Sequence, residues 1–150
     1  MTPKMKTMEI TLSRTIPASP AEAFDGWLDR KNPGTPWCDA DRVILDPKVD
    51  ALFHFHATMK DGTGVSHFGR FEVVDRPGKV QYTWMSPFTR GLESVVTVTF
   101  QKKGEDTLLT LKHANLPDDE FGRMHEQGWG HYLGILEKQA RTSEPHPFRQ

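Results

Sequence analysis

The sequence predicts an α+β fold, a curved antiparallel sheet of about seven strands covered by one long C-terminal helix, and three observations carry that expectation. The segment 117–139, PDDEFGRMHEQGWGHYLGILEKQ, is the one long stretch whose apolar residues recur at helical spacing. Residues 43–113 instead divide into short β-rich runs separated by turn residues. No gap between those runs is long enough for the crossover helix that parallel neighbours need, so the strands must pair antiparallel.

Residues 8–15 alternate Met8, Ile10 and Leu12 against Glu9, Thr11 and Ser13, the period of a half-buried strand. Pro17 and Pro20 interrupt it. Ser19 with Glu22 three residues later is a capping-box signature, and Pro20 suits a first turn, so a short helix opens there with Ala23, Phe24, Trp27 and Leu28 on its apolar side. The run RKNPGTPWCDAD that follows reads as an irregular connection with room for one helical turn, so one or two short helices are expected after the first strand, and its Trp37 needs cover. Strands are then expected at 43–45, 51–59, 65–74, 80–84, 94–101 and 108–113. Asp61-Gly62 marks a hairpin: a two-residue turn sets His56 opposite His67, whereas a three-residue loop shifts the register by one and puts them on opposite faces. The long helix is expected to open at Pro117, with Asp118, Asp119 and Glu120 at the positive end of its dipole and Asn115 as candidate cap. Phe121, Met124, Gly128, Tyr132 and Ile135 form its expected buried ridge, with Trp129, Leu133 and Leu136 beside it. The chain reads as one domain, 1–150, with a core at about 8–140 and a frayed tail at 141–150.

Composition narrows the function classes. A formal net charge of -1 offers no basic field for nucleic acid or an anionic membrane surface. The apolar runs fall far short of the roughly 20 residues of a membrane helix, and the N-terminus lacks the apolar core of a secretory signal. The single cysteine, Cys38, excludes an intramolecular disulfide and points to the cytoplasm. Monomer and homodimer are both compatible with the sequence.

The ASPAEAF helix start, Trp37, the Asp61-Gly62 turn, FGRFEVVDRPGKVQYTW, SVVTVTF, LLTLKHANLP and EQGWGHYLGILEK, in that order, resemble the C-terminal-domain-like family of activators of the Hsp90 ATPase. That family belongs to the START-like, SRPBCC, helix-grip superfamily. The resemblance covers residues 9–139 and is most specific at Thr83-Trp84, at His113-Ala114-Asn115-Leu116-Pro117 and at Gly128-Trp129. It implies a helix-grip fold with a cavity between sheet and helix and, through the family's co-chaperone name, a chaperone or other protein as a partner. Two segments depart from the pattern. Asp50-Ala51-Leu52-Phe53 stands where the family often has a Gly-Gly pair, and MSPFTRGLE alters the expected pocket mouth. Folds of this superfamily carry lipid binding, hormone binding, cyclisation and co-chaperone roles, so function has to be argued from the site.

The expected ligand pocket is lined by Phe53, Phe55, Phe71, Tyr82, Trp84, His113, Met124, His125, Gly128 and Trp129, with Trp37 near the mouth. Rings supply apolar walls, and Tyr82, His113 and His125 select polar groups. Gly122, Gly128, Gly130 and Gly134 each cost about 1 kcal/mol relative to alanine in a helix interior. Gly128, placed at the centre of the buried face, either leaves room for a ligand or lets the sheet approach closely. His54 and His56 share a strand face expected to meet solvent, and no cysteine or carboxylate completes a metal site around them. No phosphate-cradling loop, nucleophile elbow or cofactor motif is present, and no catalytic residue is assigned. The leading expectation is a non-enzymatic module that binds a small apolar or amphipathic molecule. The alternatives are an acid–base enzyme of cyclase or hydratase type working through His113 or His125 in the same cavity, and a co-chaperone-like interaction domain.

Overall fold

The computed structural model describes residues 6–38 and 40–142. Its elements are β1 (Thr7–Ile16), α1 (Pro20–Trp27), β2 (Arg42–Ile44), β3 (Leu52–Thr58), β4 (Gly64–Asp75), β5 (Lys79–Trp84), a 3-10 turn (Pro87–Thr89), β6 (Ser94–Lys103), β7 (Asp106–Pro117) and α2 (Glu120–Thr142). All strands join one antiparallel sheet in the order β1-β7-β6-β5-β4-β3-β2, so the chain's first strand closes beside its last. The expected α+β architecture is therefore present, with seven strands and the long helix across the sheet.

The local signals act as their chemistry requires. Ser19 Oγ accepts from the Glu22 N–H at 3.2 Å while Glu22 Oε1 accepts from the Ser19 N–H at 3.1 Å, which satisfies two otherwise orphaned donors at the start of α1. The start of α2 differs from expectation. β7 runs on through Pro117, and the helix begins at Glu120 because Asp119, not Asn115, supplies the cap. Asp119 Oδ1 accepts from the N–H groups of Phe121 at 2.9 Å and Gly122 at 3.1 Å. Asn115, at φ 62, instead donates its side-chain amide to the Glu93 carbonyl. At the far end, residues 141 and 142 continue α2, and the rest of the expected tail, 143–150, lies outside the described residues.

The hairpin between β3 and β4 takes the three-residue option. Met59 N–H donates to Thr63 O at 2.8 Å around Lys60, Asp61 and Gly62, and Gly62 holds φ 89, a left-handed value that glycine reaches without strain. The register that follows pairs Phe55 with His67 and His56 with Ser66. His67 thus turns inward beside Phe55, while His56 stays on the outer face, its Nδ1 3.2 Å from Asp41 Oδ2.

The helix presents a different stripe from the one expected. Gly122, Trp129, Leu133 and Leu136 are buried, whereas Gly128 is exposed and Met124 is 40% exposed. Trp129, Leu133 and Leu136 at i, i+4 and i+7 lie on the line along which a straight helix meets a curved sheet. Each such apolar side chain contributes about 1.5–3 kcal/mol on burial. The neighbouring ridge of Met124, Gly128 and Tyr132 is left at the open side. Arg14 of β1 reaches Glu137 at 3.2 Å and ties the helix to the edge of the sheet.

Candidate functional site: a cavity between helix and hairpin

Rings fill most of the space under α2. Trp37, Phe53, Phe71 and Tyr82 are at most 1% exposed and meet edge to face or tilted, with centroids 5.4–6.0 Å apart. Their polar edges are spoken for. Trp27 Nε1–H donates to Tyr82 Oη at 3.2 Å, and Trp37 Nε1–H donates to the Trp27 carbonyl at 2.8 Å. Burial raises the Tyr82 pKa, so its hydroxyl stays protonated.

His113 closes a second satisfied unit. Trp129 Nε1–H donates to His113 Nδ1 at 2.9 Å, and an indole N–H can only donate, so Nδ1 carries no proton. The proton of the neutral ring then sits on Nε2, which donates to Ser94 Oγ at 2.7 Å, and Ser94 Oγ donates on to the Trp84 carbonyl. Burial, with the nearby His125 charge as a second cause, holds the His113 pKa well below the ordinary histidine value. Every hydrogen-bonding position of that imidazole is occupied by protein.

Toward the β3–β4 hairpin the filling stops. A cavity of about 200 Å³ opens there, lined by Pro36, Phe55, Ala57, Met59, His67, Trp84, Phe88, Met124, His125, Gly128, Trp129 and Tyr132. Phe55, Trp84 and Trp129 are 3–4% exposed, whereas Met59 and Met124 are about two-fifths exposed at its rim. His67 stacks face to face on Phe55 at 4.6 Å and tilts against Trp84 at 5.1 Å. His125 lies with its ring 5.1 Å from that of His113. Its Nδ1 is 2.8 Å from the Phe121 carbonyl, which can only accept, so in the neutral ring Nδ1 carries the proton and Nε2 is left as an acceptor. Burial pushes His67 down to about 4, with the His125 and His54 charges adding to the effect, and burial also lowers His125. The two imidazoles that line the cavity, and His113 behind them, are consequently neutral at pH 7.

Two polar atoms of the wall are left over. His67 Nδ1 and Trp84 Nε1 are buried without any hydrogen-bond partner in the protein. Such groups are uncommon in a finished interior.

Of the residues expected at the pocket, the structure brings Phe55, Trp84, Met124, His125, Gly128 and Trp129 to the cavity. It places Trp37, Phe53, Phe71, Tyr82 and His113 one layer deeper, in the closed core. Gly128 lies at the rim rather than at the centre of the buried face. A Cβ built there would meet nothing within 4 Å, so it makes no close approach to the sheet. Gly122 is the opposite case, since a Cβ there would sit 1.9 Å from the Pro117 carbonyl oxygen. Sequence reasoning missed His67, whose inward turn depends on one residue of hairpin register, and Phe88, carried by the 3-10 turn inside the unusual MSPFTRGLE segment. Ala57 and Met59 continue the Phe53-Phe55 alternation, and Tyr132 continues the Met124-Gly128 ridge; those patterns were signals for them. Among the described residues no group of histidine, cysteine and carboxylate side chains could hold a metal ion, and no helix is long and apolar enough to cross a membrane.

A concave antiparallel sheet gripping a long C-terminal helix, with a cavity kept open between them, defines a helix-grip, START-like protein. A family model described as activator of Hsp90 ATPase homolog 1-like protein matches residues 17–140, and the chain belongs to that family. The fold is shared with a protein of Chromobacterium violaceum (TM-score 0.76, 18% identity, covering 88% of this chain and 96% of that one). It is shared too with a protein of Rhizobium loti (TM-score 0.74, 19% identity, 91% and 99%). An Hsp90 activator from Plasmodium falciparum superposes with a TM-score of 0.67 at 20% identity, covering 87% of this chain and 94% of that one. None of the curated proteins matches the sequence.

Proposed function

We propose that this protein binds a small, largely apolar molecule in the cavity between α2 and the β3–β4 hairpin, as a cytoplasmic binding module. The observation that carries this reading is the unfilled, ring-walled space of about 200 Å³ between α2 and the hairpin, whose lining includes His67 and Trp84, each with a side-chain nitrogen that has no partner in the protein. Phe55, Trp84 and Trp129 supply the apolar contact, and Met59 and Met124 are flexible side chains able to adjust at the rim. The test is native mass spectrometry of the freshly purified protein beside its Gly128→Trp variant. Because the Gly128 position is open, an indole there should cover the mouth without disturbing the core. A small-molecule adduct on the parent protein and none on the variant is the expected result; an adduct retained equally by both would place the ligand elsewhere.

A second reading has its own observation. On the outer face of the sheet Ile44, Leu52 and Phe68 are 63%, 61% and 45% exposed, large apolar side chains near one another across β2, β3 and β4. With the family's description, this row supports a protein-interaction role of the co-chaperone kind. Capture of an Hsp90-type chaperone by the protein, lost in a Phe68→Ser variant that keeps its melting temperature, would favour it over the cavity.

A further inference from the structure

We infer that β2 is a self-complementary edge on which a second copy of this chain docks, antiparallel and symmetric about Ile44, so that Arg42 of each copy meets Asp46 of the other. This seats a second copy beside the apolar row where the co-chaperone reading seats a chaperone.

The backbone sets the register. Met59 N–H donates to Thr63 O and Phe71 N–H to Ala51 O, so the odd-numbered residues of β3 direct their backbone groups at β4. His54 and His56 therefore turn theirs toward β2, where they pair with Ile44 and Arg42. Val43 and Leu45 are left facing outward. β2 is the last strand of the sheet, and Leu45 has no backbone partner among the described residues. Such an edge is a template for another strand. Outward groups of one parity can pair only with the same parity in a second copy, and symmetry about Ile44 satisfies this by setting Val43 opposite Leu45. Pro47 has no N–H to add, so the ladder ends there.

The side chains fit the same register. Exposure alternates along the segment, with Arg42, Ile44 and Asp46 exposed on the outer face and Val43 and Leu45 half-buried beneath. Ile44, 63% exposed, would meet its own copy at the axis as a pair whose Cα atoms are about 4.5 Å apart. That contact extends the row Phe68-His54-Ile44 across both molecules. On either side of it Arg42 faces Asp46. Within one copy Asp46 meets the exposed Lys48 at 3.5 Å, and Arg42 acts on its neighbour Asp41 through space, so both charges stay at the surface. Exposed pairs of this kind are worth about 0.2–1 kcal/mol each. They select the register, while the ladder and Ile44 supply the affinity, and so short an edge makes a reversible dimer.

The opposite edge lacks this match. On β1 the charges Glu9 and Arg14 differ in parity, and Lys112 and Glu137 already hold them.

The experiment is sedimentation velocity from micromolar to millimolar protein. The mass is expected to rise from 17.1 kDa toward twice that value. Arg42→Asp and Asp46→Arg, each placing like charges opposite one another, should keep their melting temperatures and weaken association at least about tenfold. Mixing the two variants should restore it, because each then offers the other the opposite charge. A measurement on the unsubstituted protein covers a variant that fails to fold: amide exchange at Val43 and Leu45 should slow as the dimer forms. A monomer at every concentration would overturn the inference. So would a dimer indifferent to both charge reversals, or one that leaves those two amides unprotected. A monomer that captures an Hsp90-type chaperone through Phe68 would overturn it and give the face to the chaperone.

Discussion

At the end of the interior built from Trp27, Trp37, Phe53 and Tyr82, each indole N–H reaches an oxygen and the rings touch on all sides. At the end built from Phe55, His67 and Trp84 the side chains are again ringed, yet an indole N–H and an imidazole nitrogen go without partners beside an unfilled space. Two histidines, His113 on β7 and His125 on α2, repeat the contrast. His113 has both nitrogens bonded to protein, and His125 has one. Aromatic content therefore does not separate core from site in this protein; completeness of hydrogen bonding does.

The contrast can be broken most severely at His113. Replacing it by leucine strands Trp129 Nε1–H and removes the donor to Ser94, and buried polar groups left alone cost about 1–3 kcal/mol each. His113→Leu is expected to lose about 3 kcal/mol in a denaturant titration, and a loss under about 1 kcal/mol would show that the relay is not structural.

Acid tests the same histidines without a substitution. His67 and His113 take up protons in the unfolded chain near pH 6.5 and only at much lower pH when folded, so the unfolded state binds more protons as pH falls. Stability is full above pH 6.5 and should drop by about 1.4 kcal/mol for each of the two by pH 5.5. For His67 the decline levels off near pH 4. The carboxylates held low by arginines, such as Asp25 beside Arg76 and Asp119 beside Arg90, contribute below that window. A melting temperature flat from pH 7 to 5 would mean that the two imidazoles are not held neutral.

A paired substitution sharpens the comparison further. Trp27→Phe and Trp84→Phe remove similar volumes from buried positions, but only the first breaks a hydrogen bond, to Tyr82. The Trp27 variant should be the less stable by about 1 kcal/mol, and equal melting temperatures would mean that Trp84 Nε1–H has a partner in solution. The smallest effect is expected at the rim. Gly128→Ala meets open space and removes a helix glycine, so it should raise stability by about 0.5–1 kcal/mol. A fall instead would show that the rim is more tightly packed than its exposed position indicates.

Much of this architecture was legible along the chain. The Ser19–Glu22 capping box, the strand runs and the periodicity of the C-terminal helix act over a few residues, and local hydrogen bonds and side-chain period suffice to place them. The inward set Phe53 and Phe55 was readable for the same reason. Boundaries were less so: the helix start moved from Pro117 to Glu120 because β1 pairs with β7 as far as Pro117, a contact between segments about a hundred residues apart.

What the sequence by itself determined is the order of the elements, the antiparallel sheet and the helix that covers it, since each follows from spacing and turn chemistry within a short window. The tertiary structure alone decided which rings are core and which line the cavity. Alternation tells which face of a strand a residue occupies, but depth depends on how the sheet curves under the helix. It decided also that His67 faces inward, through one residue of hairpin register, and that His113 is saturated while His125 is not. Those facts rest on partners such as Ser94 for His113 and Tyr82 for Trp27, distant along the chain, and no local pattern encodes such a meeting.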